Sequence, residues 1–182
     1  MMKKVLIGIG ILALIIIAGF FYLNHRNRTL SPPGVANYDA DGFSVEITYS
    51  KPSKKGRLIF GTAEDGALLP YGAYWRLGAN EATEITINRD VLFNGTKVSK
   101  GTYKMYAVPG EEEFEISLNS DLGDCGYFEP DYTKDVLKTM VPVVRTDNSV
   151  EQFNIRFESG GEHIHIICEW SDVQVRIPMT LQ

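Results

Sequence analysis

The stretch "EQFNIRFESGGEHIHIICEWSDVQVRI", residues 151–177, decides the fold because its apolar side chains recur at every second position. Three runs within it place their apolar members on one face: residues 153–157, 164–170 and 173–177. A period of two is the signature of an antiparallel strand with one buried face. The glycine pair at 160–161 and the Ser-Asp step at 171–172 predict turns between these strands.

The pattern continues towards the N-terminus. Residues 43–50 and 83–88 alternate in the same way, and the Asn94-Gly95 pair predicts a tight two-residue hairpin. Pro109-Gly110 predicts a further turn, while residues 131–139 fit either a helical turn or the start of a strand. Many short strands without a long amphipathic helix predict an all-β fold, an antiparallel β-sandwich or a barrel-like domain.

The N-terminus has a different character. "VLIGIGILALIIIAGFFYL", residues 5–23, contains no charge, and about 20 apolar residues are enough to span a bilayer as a helix. The run is longer than the apolar core of a cleaved signal peptide, it ends in aromatic residues, and no small-residue cleavage pattern or lipid-accepting cysteine follows it. These features favour a retained transmembrane anchor over a cleaved signal.

The chain therefore divides into four parts. Residues 1–4 form a short tail, 5–23 the anchor, 24–38 a polar linker, and 39–182 a single all-β domain. Basic residues flank the anchor on both sides in nearly equal number, so the positive-inside rule does not decide its orientation. N-terminal spans with short leading tails commonly act as export signals, and we expect a single-pass protein whose domain is extracytoplasmic, in the periplasm.

The charge balance limits the partners. Four of the 18 basic residues precede Thr29, so the remaining chain carries 14 basic and 23 acidic residues, a net charge of −9. Nucleic-acid binding requires a basic face to neutralise phosphates. An acidic domain is therefore expected to bind neither nucleic acid nor, through its overall charge, anionic lipid.

The chain contains two cysteines, Cys125 and Cys168. In an exported protein two cysteines are candidates for a disulfide. Cys168, however, lies on the apolar face of its run together with Ile164 and Ile166, which favours a small buried hydrophobic residue. Both interpretations remain open at this point.

Several segments resemble one bacterial family. They are "ITYSKPSKKGRLIFG", "LPYGAYWRLGANEATEITI", "GTYKMYAVPGEEEFEISLN", "KDVL", and a C-terminal "EW" and "VRIP". Together they resemble the domain of unknown function 2911 family, found in exported proteins of Bacteroidetes. The resemblance covers about residues 44–178 and is most specific at 75–83. It implies an exported, all-β protein of the cell envelope and no particular activity; Phe114 stands where a tryptophan is expected.

"YGAYWRLGANEATEI", residues 71–85, contains the candidate ligand site. Tryptophan offers a stacking surface, arginine a planar fork for a carboxylate, and the other polar side chains directional hydrogen bonds. The candidates are Tyr71, Trp75, Arg76, Asn80, Glu81 and Thr83. The alternative is structural: the same residues fix a bend in the sheet through an ion pair, turn hydrogen bonds and core packing.

"HIHIICE" contains a possible metal motif. His163, His165 and Glu169 share one face of a strand, and the pattern H-x-H-x-x-x-E occurs in the metal site of cupins. The glycine that cupins carry before the first histidine is Phe157 here, and no later histidine follows. The opposite face is the apolar one, so these three side chains are expected to point to solvent, and the sequence predicts no cofactor.

Two classes of function follow. The first is a membrane-anchored, non-catalytic β-sandwich module that binds a small polar ligand or an envelope partner near residues 75–81. The alternative is an enzyme, a metal-assisted hydrolase or cupin-like protein that uses the histidine face. No nucleophile elbow, paired CxxC or phosphate loop accompanies either.

Overall fold

The computed structural model describes residues 2–123, 126–160 and 163–182. It begins with one long helix, α1 (Met2–Leu30). The helix is long and apolar enough to be a candidate membrane span or signal sequence, and none of its residues is buried against the rest of the chain.

Strands make up the remainder of the fold. They are β1 (Pro33–Ala40), β2 (Phe43–Ser50), β3 (Phe60–Gly61), β4 (Leu69–Pro70), β5 (Thr83–Ile87), β6 (Val91–Phe93), β7 (Thr96–Val98), β8 (Gly101–Val108), β9 (Glu113–Asn119), β10 (Asp135–Gly160) and β11 (His163–Leu181). Nine form one antiparallel sheet in the order β1-β2-β5-β8-β9-β10-β11-β6-β7, while β3 and β4 pair in parallel. The all-β prediction is confirmed; within the described ranges β1 and β7 do not pair, so no barrel closes.

The long strand β10 connects the two halves of the sheet. Its first part pairs with β9 and the remainder pairs with β11. The half that begins with β1 packs against the second part of β10: the ring of Tyr38 lies 5.9 Å from that of Phe157, and the ring of Tyr49 lies 5.7 Å from that of Phe153. The sheet therefore turns back on itself around a shared core, as in a sandwich.

The core contains the residues that the alternation predicts. The buried positions include Phe43, Val45, Ile47, Ile85, Ile87, Phe153, Ile155, Val173, Val175 and Ile177. Tyr49 makes polar contacts across the core: its hydroxyl accepts a hydrogen bond from the Ile155 amide at 2.9 Å and lies 3.1 Å from the Ile155 carbonyl oxygen. A buried hydroxyl needs such a partner, and this one also fixes β2 against β10.

The predicted turn at 171–172 is wrong. β11 runs through this point without reversing, and Ser171 adopts a φ of 56° and pairs with Val150 between two breaks in register. Between the Arg145–Val173 and Asn154–Glu169 pairs β10 has more residues than β11, so a β-bulge or similar irregularity interrupts the ladder, and the side-chain alternation of β11 shifts by one across it. Even-numbered Trp170 and odd-numbered Val173 consequently both face the core.

The other predicted turns are confirmed where the structure describes them. Asn94 and Gly95 both have positive φ, as the tight turn between β6 and β7 requires. Pro109 and Gly110 connect β8 to β9. Gly160 pairs with His163 across the β10–β11 hairpin, and Gly161 lies outside the described residues. Residues 131–139 combine both alternatives, since a 3₁₀ turn (Tyr132–Lys134) leads directly into β10.

The segment expected as a polar linker, residues 24–38, is ordered secondary structure instead. Helix α1 continues to Leu30, and β1 begins at Pro33 and pairs with β2 along its whole length. Polar composition was misleading here because both elements have solvent-facing residues: no α1 residue is buried, and β1 is an edge strand. Only the short step between Leu30 and Pro33 joins the helix to the sheet.

Candidate functional site

Residues 75–83 form a bend that leads into β5. Its four successive backbone carbonyls, at residues 77–80, each accept a hydrogen bond. Their donors, in that order, are Thr83 Oγ1 (2.8 Å), Trp75 Nε1 (3.2 Å), Glu81 N (2.7 Å) and Arg76 Nη1 (3.0 Å). Three of these donors are side chains of the bend itself, so the segment holds its own backbone in place.

The backbone of the bend is also strained. Leu77 has a φ of 54° and Asn80 a φ of 61°, a region that residues other than glycine seldom adopt. Leu77 is fully buried, and a β-carbon at Gly78 would lie 3.1 Å from the Ser50 carbonyl oxygen. Such strain persists only where the surroundings over-determine the conformation, which the buried Leu77 and the four carbonyl hydrogen bonds do here.

Trp75 and Thr83 are structural residues. Trp75 is 5% exposed; its ring stacks on that of Trp170 at 6.0 Å and contacts Phe153 at 5.0 Å and Phe60 at 5.7 Å. Thr83 is fully buried, and its hydroxyl donates a hydrogen bond to the Leu77 carbonyl. Of these two candidates, only Trp75 also reaches the cleft described next.

A cleft of about 360 Å³ lies along the outer side of the bend. Its lining combines cations and an amide with aromatic rings: Arg57, Arg76, Asn80, Tyr74, Tyr127 and Trp170. Three predicted site residues, Trp75, Arg76 and Asn80, therefore come together at this cleft. Ser31, directly after α1, lines it as well.

Both arginines of the cleft are held by neighbours. Arg57 donates from Nε to the Lys54 carbonyl at 3.0 Å and from Nη2 to the Ser53 carbonyl at 2.6 Å. Arg76 donates to the Asn80 carbonyl, and its guanidinium lies 5.4 Å from the centre of the Tyr127 ring. A guanidinium carries five N–H donors, so Arg57, which uses Nε and Nη2 in these contacts, keeps the N–H groups of Nη1 for a ligand.

Asn80 and Glu81 connect the bend to the helix. The Asn80 side-chain amide donates to the Asn27 carbonyl at 3.2 Å and to the Ser31 carbonyl at 3.1 Å. Glu81 forms an ion pair with Arg28. The Asn27 carbonyl also accepts a hydrogen bond from the Ser31 amide at 2.9 Å, so Asn80 adds a second donor at the end of the helix. These two predicted site residues thus hold the end of α1.

Tyr71 lies away from the other candidates. Its hydroxyl accepts a hydrogen bond from Arg145 Nη2 at 3.2 Å, and Arg145 also pairs with Asp172 at 3.1 Å. Tyr71 does not line the cleft. The structure therefore separates the six candidates: three line the cleft, while Tyr71, Glu81 and Thr83 have other partners.

The histidine face carries an ion-pair network. Glu169 accepts hydrogen bonds from Asn154 (3.1 Å), Arg156 (3.2 Å) and Gln174 (3.2 Å). The rings of His163 and His165 lie 6.3 Å apart, and His163 is exposed. Among the described residues there is no group of three or more His, Cys, Asp or Glu side chains arranged to hold a metal ion.

The protonation of Glu169 reflects this network. Burial raises the pKa of its carboxyl, but the hydrogen bonds from Asn154 and Arg156 and the positive charge of Arg156 outweigh that effect and hold the pKa below its usual range. The carboxylate stays ionised and engaged with Arg156, which makes it a partner in a surface network rather than an open metal ligand.

A buried polar cluster on the outer face of β8 and β9 was not predicted. The hydroxyl of Tyr106 donates to Asp135 at 2.8 Å, and the side-chain amide of Asn119 donates to the other oxygen of the same carboxylate at 2.7 Å. Tyr106 and Asn119 are fully buried, and Lys104 on the same face is 1% exposed. Burial, together with the charge of Asp135, raises the pKa of Tyr106.

This polar cluster lies beside the cleft. The ring of Tyr74, which lines the cleft, packs 5.5 Å from that of Tyr106. Polar residues alternate along β8 and β9, so the sequence contains a signal for their common face, but alternation alone is typical of a face exposed to solvent. The residues after β9 cover it: Tyr132 packs 6.1 Å from Tyr106, and Asn119 donates to the Asp131 carbonyl at 2.9 Å.

Of the two cysteines, Cys168 lies within the described residues. Cys168 packs in the core as a small apolar residue, as one of the two interpretations predicts, and burial raises the pKa of its thiol to about 12. Cys125, its candidate disulfide partner, lies outside the described residues.

The comparisons with known proteins bear on the part of the chain that follows α1. Residues 31–179 match the family model described as "Protein of unknown function (DUF2911)". No curated protein and no solved structure matches the chain. The matched residues include the bend at 75–83 and all the residues that line the cleft. Because the match covers most of its length, the chain belongs to the DUF2911 family of proteins of unknown function.

Proposed function

We propose that this protein is a membrane-anchored binding module that takes a small anionic ligand, a carboxylate or a phosphate, in the cleft beside the bend. The domain lies on the extracytoplasmic side, and α1 anchors it. The cleft itself carries the proposal, because it combines two arginine side chains with aromatic rings on one concave surface.

The donor set favours an anion. Arginine presents parallel N–H groups that match the two oxygens of a carboxylate or phosphate, and Arg57 and Arg76 line the same cleft. Tyr127 and Trp170 add apolar faces, which limit water around such a pair. A volume of about 360 Å³ lies at the small end of the range for ligand pockets, roughly 300–1,000 Å³, and suits a metabolite-sized molecule.

The rigidity of the bend supports the same proposal. Binding groups that are already fixed lose less conformational freedom when a ligand arrives. Arg76 is attached to the Asn80 carbonyl, and Arg57 to the carbonyls of residues 53 and 54. The strained backbone at Leu77 lies between Arg76 and Gly78, which both line the cleft, and fixes their relative positions.

Titration of the purified full chain in detergent with malonate and, separately, with inorganic phosphate tests the proposal. Trp170 lines the cleft and Trp75 stacks on it, so ligand entry should change tryptophan emission in a saturable way. Arg57→Gln keeps a polar side chain without the charge and should weaken binding at least tenfold, the scale of one lost charged hydrogen bond.

A matched variant controls for charge. Arg89→Gln removes an exposed arginine that does not line the cleft, and it should bind like the wild type. Denaturant melts of both variants show that each remains folded. Emission that changes linearly with either anion, or equally in wild type and Arg57→Gln, would contradict an anion site in this cleft.

A further inference from the structure

We infer that the end of the domain next to α1 lies on the bilayer surface, with Tyr127 and Phe128 in the interfacial layer and a basic loop, residues 51–57, against anionic headgroups. The inference rests on the proposed anchoring by α1 but not on the ligand in the cleft. It assigns a second binding surface to the domain, whose partner is the membrane itself.

The length of α1 places this end near the membrane. The apolar residues 5–23 match the hydrocarbon core, and the polar turns that follow, residues 24–30, rise about 10 Å. The headgroup layer is roughly 5–8 Å thick on each side. Asn80 and Glu81 hold the last turn of α1 against the domain, so Ser31 and the surface around it lie at the outer edge of that layer.

Basic residues concentrate at this end. Lys51, Lys54, Lys55 and Arg57 supply four of the 14 basic residues after α1 within seven positions, although that part of the chain carries a net charge of −9. Lys55 and Arg57 line a small depression together with Leu30 and Ser31, which places the loop directly beside the end of the helix. Basic segments next to a membrane span are attracted to anionic lipid by about 1 kcal/mol per charge.

The nearby acidic groups do not cancel this charge. Glu81 is paired with Arg28 of α1, and Glu151, which accepts a hydrogen bond from the backbone amide of Lys55, offsets only one of the four positive charges of the loop. The ammonium of Lys54 lies 3.1 Å from the hydroxyl of Ser149, a neutral partner. The overall acidity of the domain therefore conceals a local basic surface at the end that faces the bilayer.

Exposed aromatic residues complete the surface. Tyr127 is 68% exposed and Phe128 79% exposed, and their rings contact edge to face at 5.1 Å. Tyr127 lines the same cleft as Ser31, which places the pair at the helix end of the domain. Large exposed apolar groups signal an interaction site, and aromatic side chains are enriched at membrane interfaces.

Depth-dependent quenching in vesicles tests the inference. The full chain carrying Phe128→Trp is reconstituted into vesicles of phosphatidylglycerol and phosphatidylcholine in which some acyl chains are brominated. A tryptophan in the interfacial layer should be quenched. Lys97→Trp, at an exposed position in β7, provides the matched control and should stay unquenched; both variants share the background of Trp75 and Trp170.

Charge variants test the basic loop. Lys54→Gln/Lys55→Gln in the Phe128→Trp background should lower the ratio of docked to undocked domain roughly 30-fold in phosphatidylglycerol vesicles, from about 1 kcal/mol per charge. Lys97→Gln/Lys100→Gln, which removes two exposed lysines outside this loop, should leave quenching unchanged.

The possible failures can be told apart by flotation. A chain that floats with the vesicles while Phe128→Trp is quenched no more than Lys97→Trp would overturn the docking surface and leave the anchor in place. Quenching that is equal in the two lysine double variants would overturn the role of the basic loop. A chain that does not float would overturn the anchor and, with it, the docking surface.

Discussion

The bend at residues 75–83 and the histidine face at 163–169 look alike in the sequence, since each places several polar side chains close together next to a strand. In the structure the side chains of the two segments have different directions and partners. The bend turns some side chains into the core and others onto a cleft and the end of α1. The side chains of the histidine face lie on the outside of β11, where Glu169 is engaged by Arg156.

The difference shows what makes a polar cluster a candidate site. Side chains on one face of a strand share a direction, but they converge on a ligand only where a second element forms an opposite wall. The cleft has such a wall, because residues of several loops and Ser31 surround it. Glu169 already accepts hydrogen bonds from Asn154 and Arg156 on the adjacent strand β10 and from Gln174 on β11 itself.

The largest effect should come from Trp75→Ala. This change removes a ring that contacts Trp170, Phe153 and Phe60 in the core, and truncations of this kind cost about 3–5 kcal/mol. Urea unfolding of the full chain in detergent measures it. Tyr127→Ala, an exposed aromatic on the same cleft, should change stability by no more than about 0.5 kcal/mol. Equal losses in both variants would contradict the division of the bend into a buried and a cleft-facing side.

Thr83→Val should have the next largest effect. The buried hydroxyl of Thr83 is the side-chain partner of the Leu77 carbonyl, and a valine leaves that carbonyl unsatisfied. A buried polar group without its partner costs about 1–3 kcal/mol. The same unfolding measurement should show this loss, whereas a stability equal to the wild type would mean that the strained turn does not depend on Thr83.

Trp75 and Thr83 also show which features of the structure can be predicted from the sequence. Alternation identified the strands and their buried faces, because a half-buried sheet imposes a period of two on the sequence. The aromatic and polar residue types at 71–85 indicated a ligand site or a structural bend, but they did not separate Trp75 and Thr83, which stabilise the fold, from Arg76 and Asn80, which line the cleft. That separation depends on contacts with Trp170 and α1, which are distant in sequence.

Other features could not be predicted for a related reason. The bulge at Ser171 shifts the alternation by one residue, and the Ser-Asp pair there is equally typical of a turn. The alternation of polar residues along β8 is present in the sequence. The burial of that face is not, because it results from Tyr132, which packs over Tyr106. The basic loop at 51–57 was hidden by the acidic composition of the whole domain.

The histidine face should respond to pH rather than to metal. The network lowers the pKa of Glu169, so its contribution to stability is present above the unfolded-state value of about 4.3 and is lost as the pH falls through the lower folded-state value. Glu169→Gln lacks this contribution, and its free energy of unfolding should fall less between pH 6 and pH 3 than that of the wild type. Superimposable pH profiles would show that the network does not stabilise the charged form.

The smallest effect should come from His163→Ala/His165→Ala. His163 is exposed and His165 half-buried, so the double variant should stay within about 0.5 kcal/mol of the wild type. Added zinc should leave the melting temperature of both proteins unchanged. A melting temperature that rises with zinc in the wild type and not in the variant would restore the metal hypothesis.

One spectrum compares the two regions directly. Nuclear magnetic resonance of the full chain in detergent micelles, titrated with malonate, follows the indole N–H signals of Trp75 and Trp170 and the imidazole signals of His163 and His165 in the same sample. We predict that the indole signals shift to a plateau, since both rings border the cleft, while the imidazole signals stay in place. Stationary indole signals, or imidazole signals that shift instead, would contradict a ligand site at the bend.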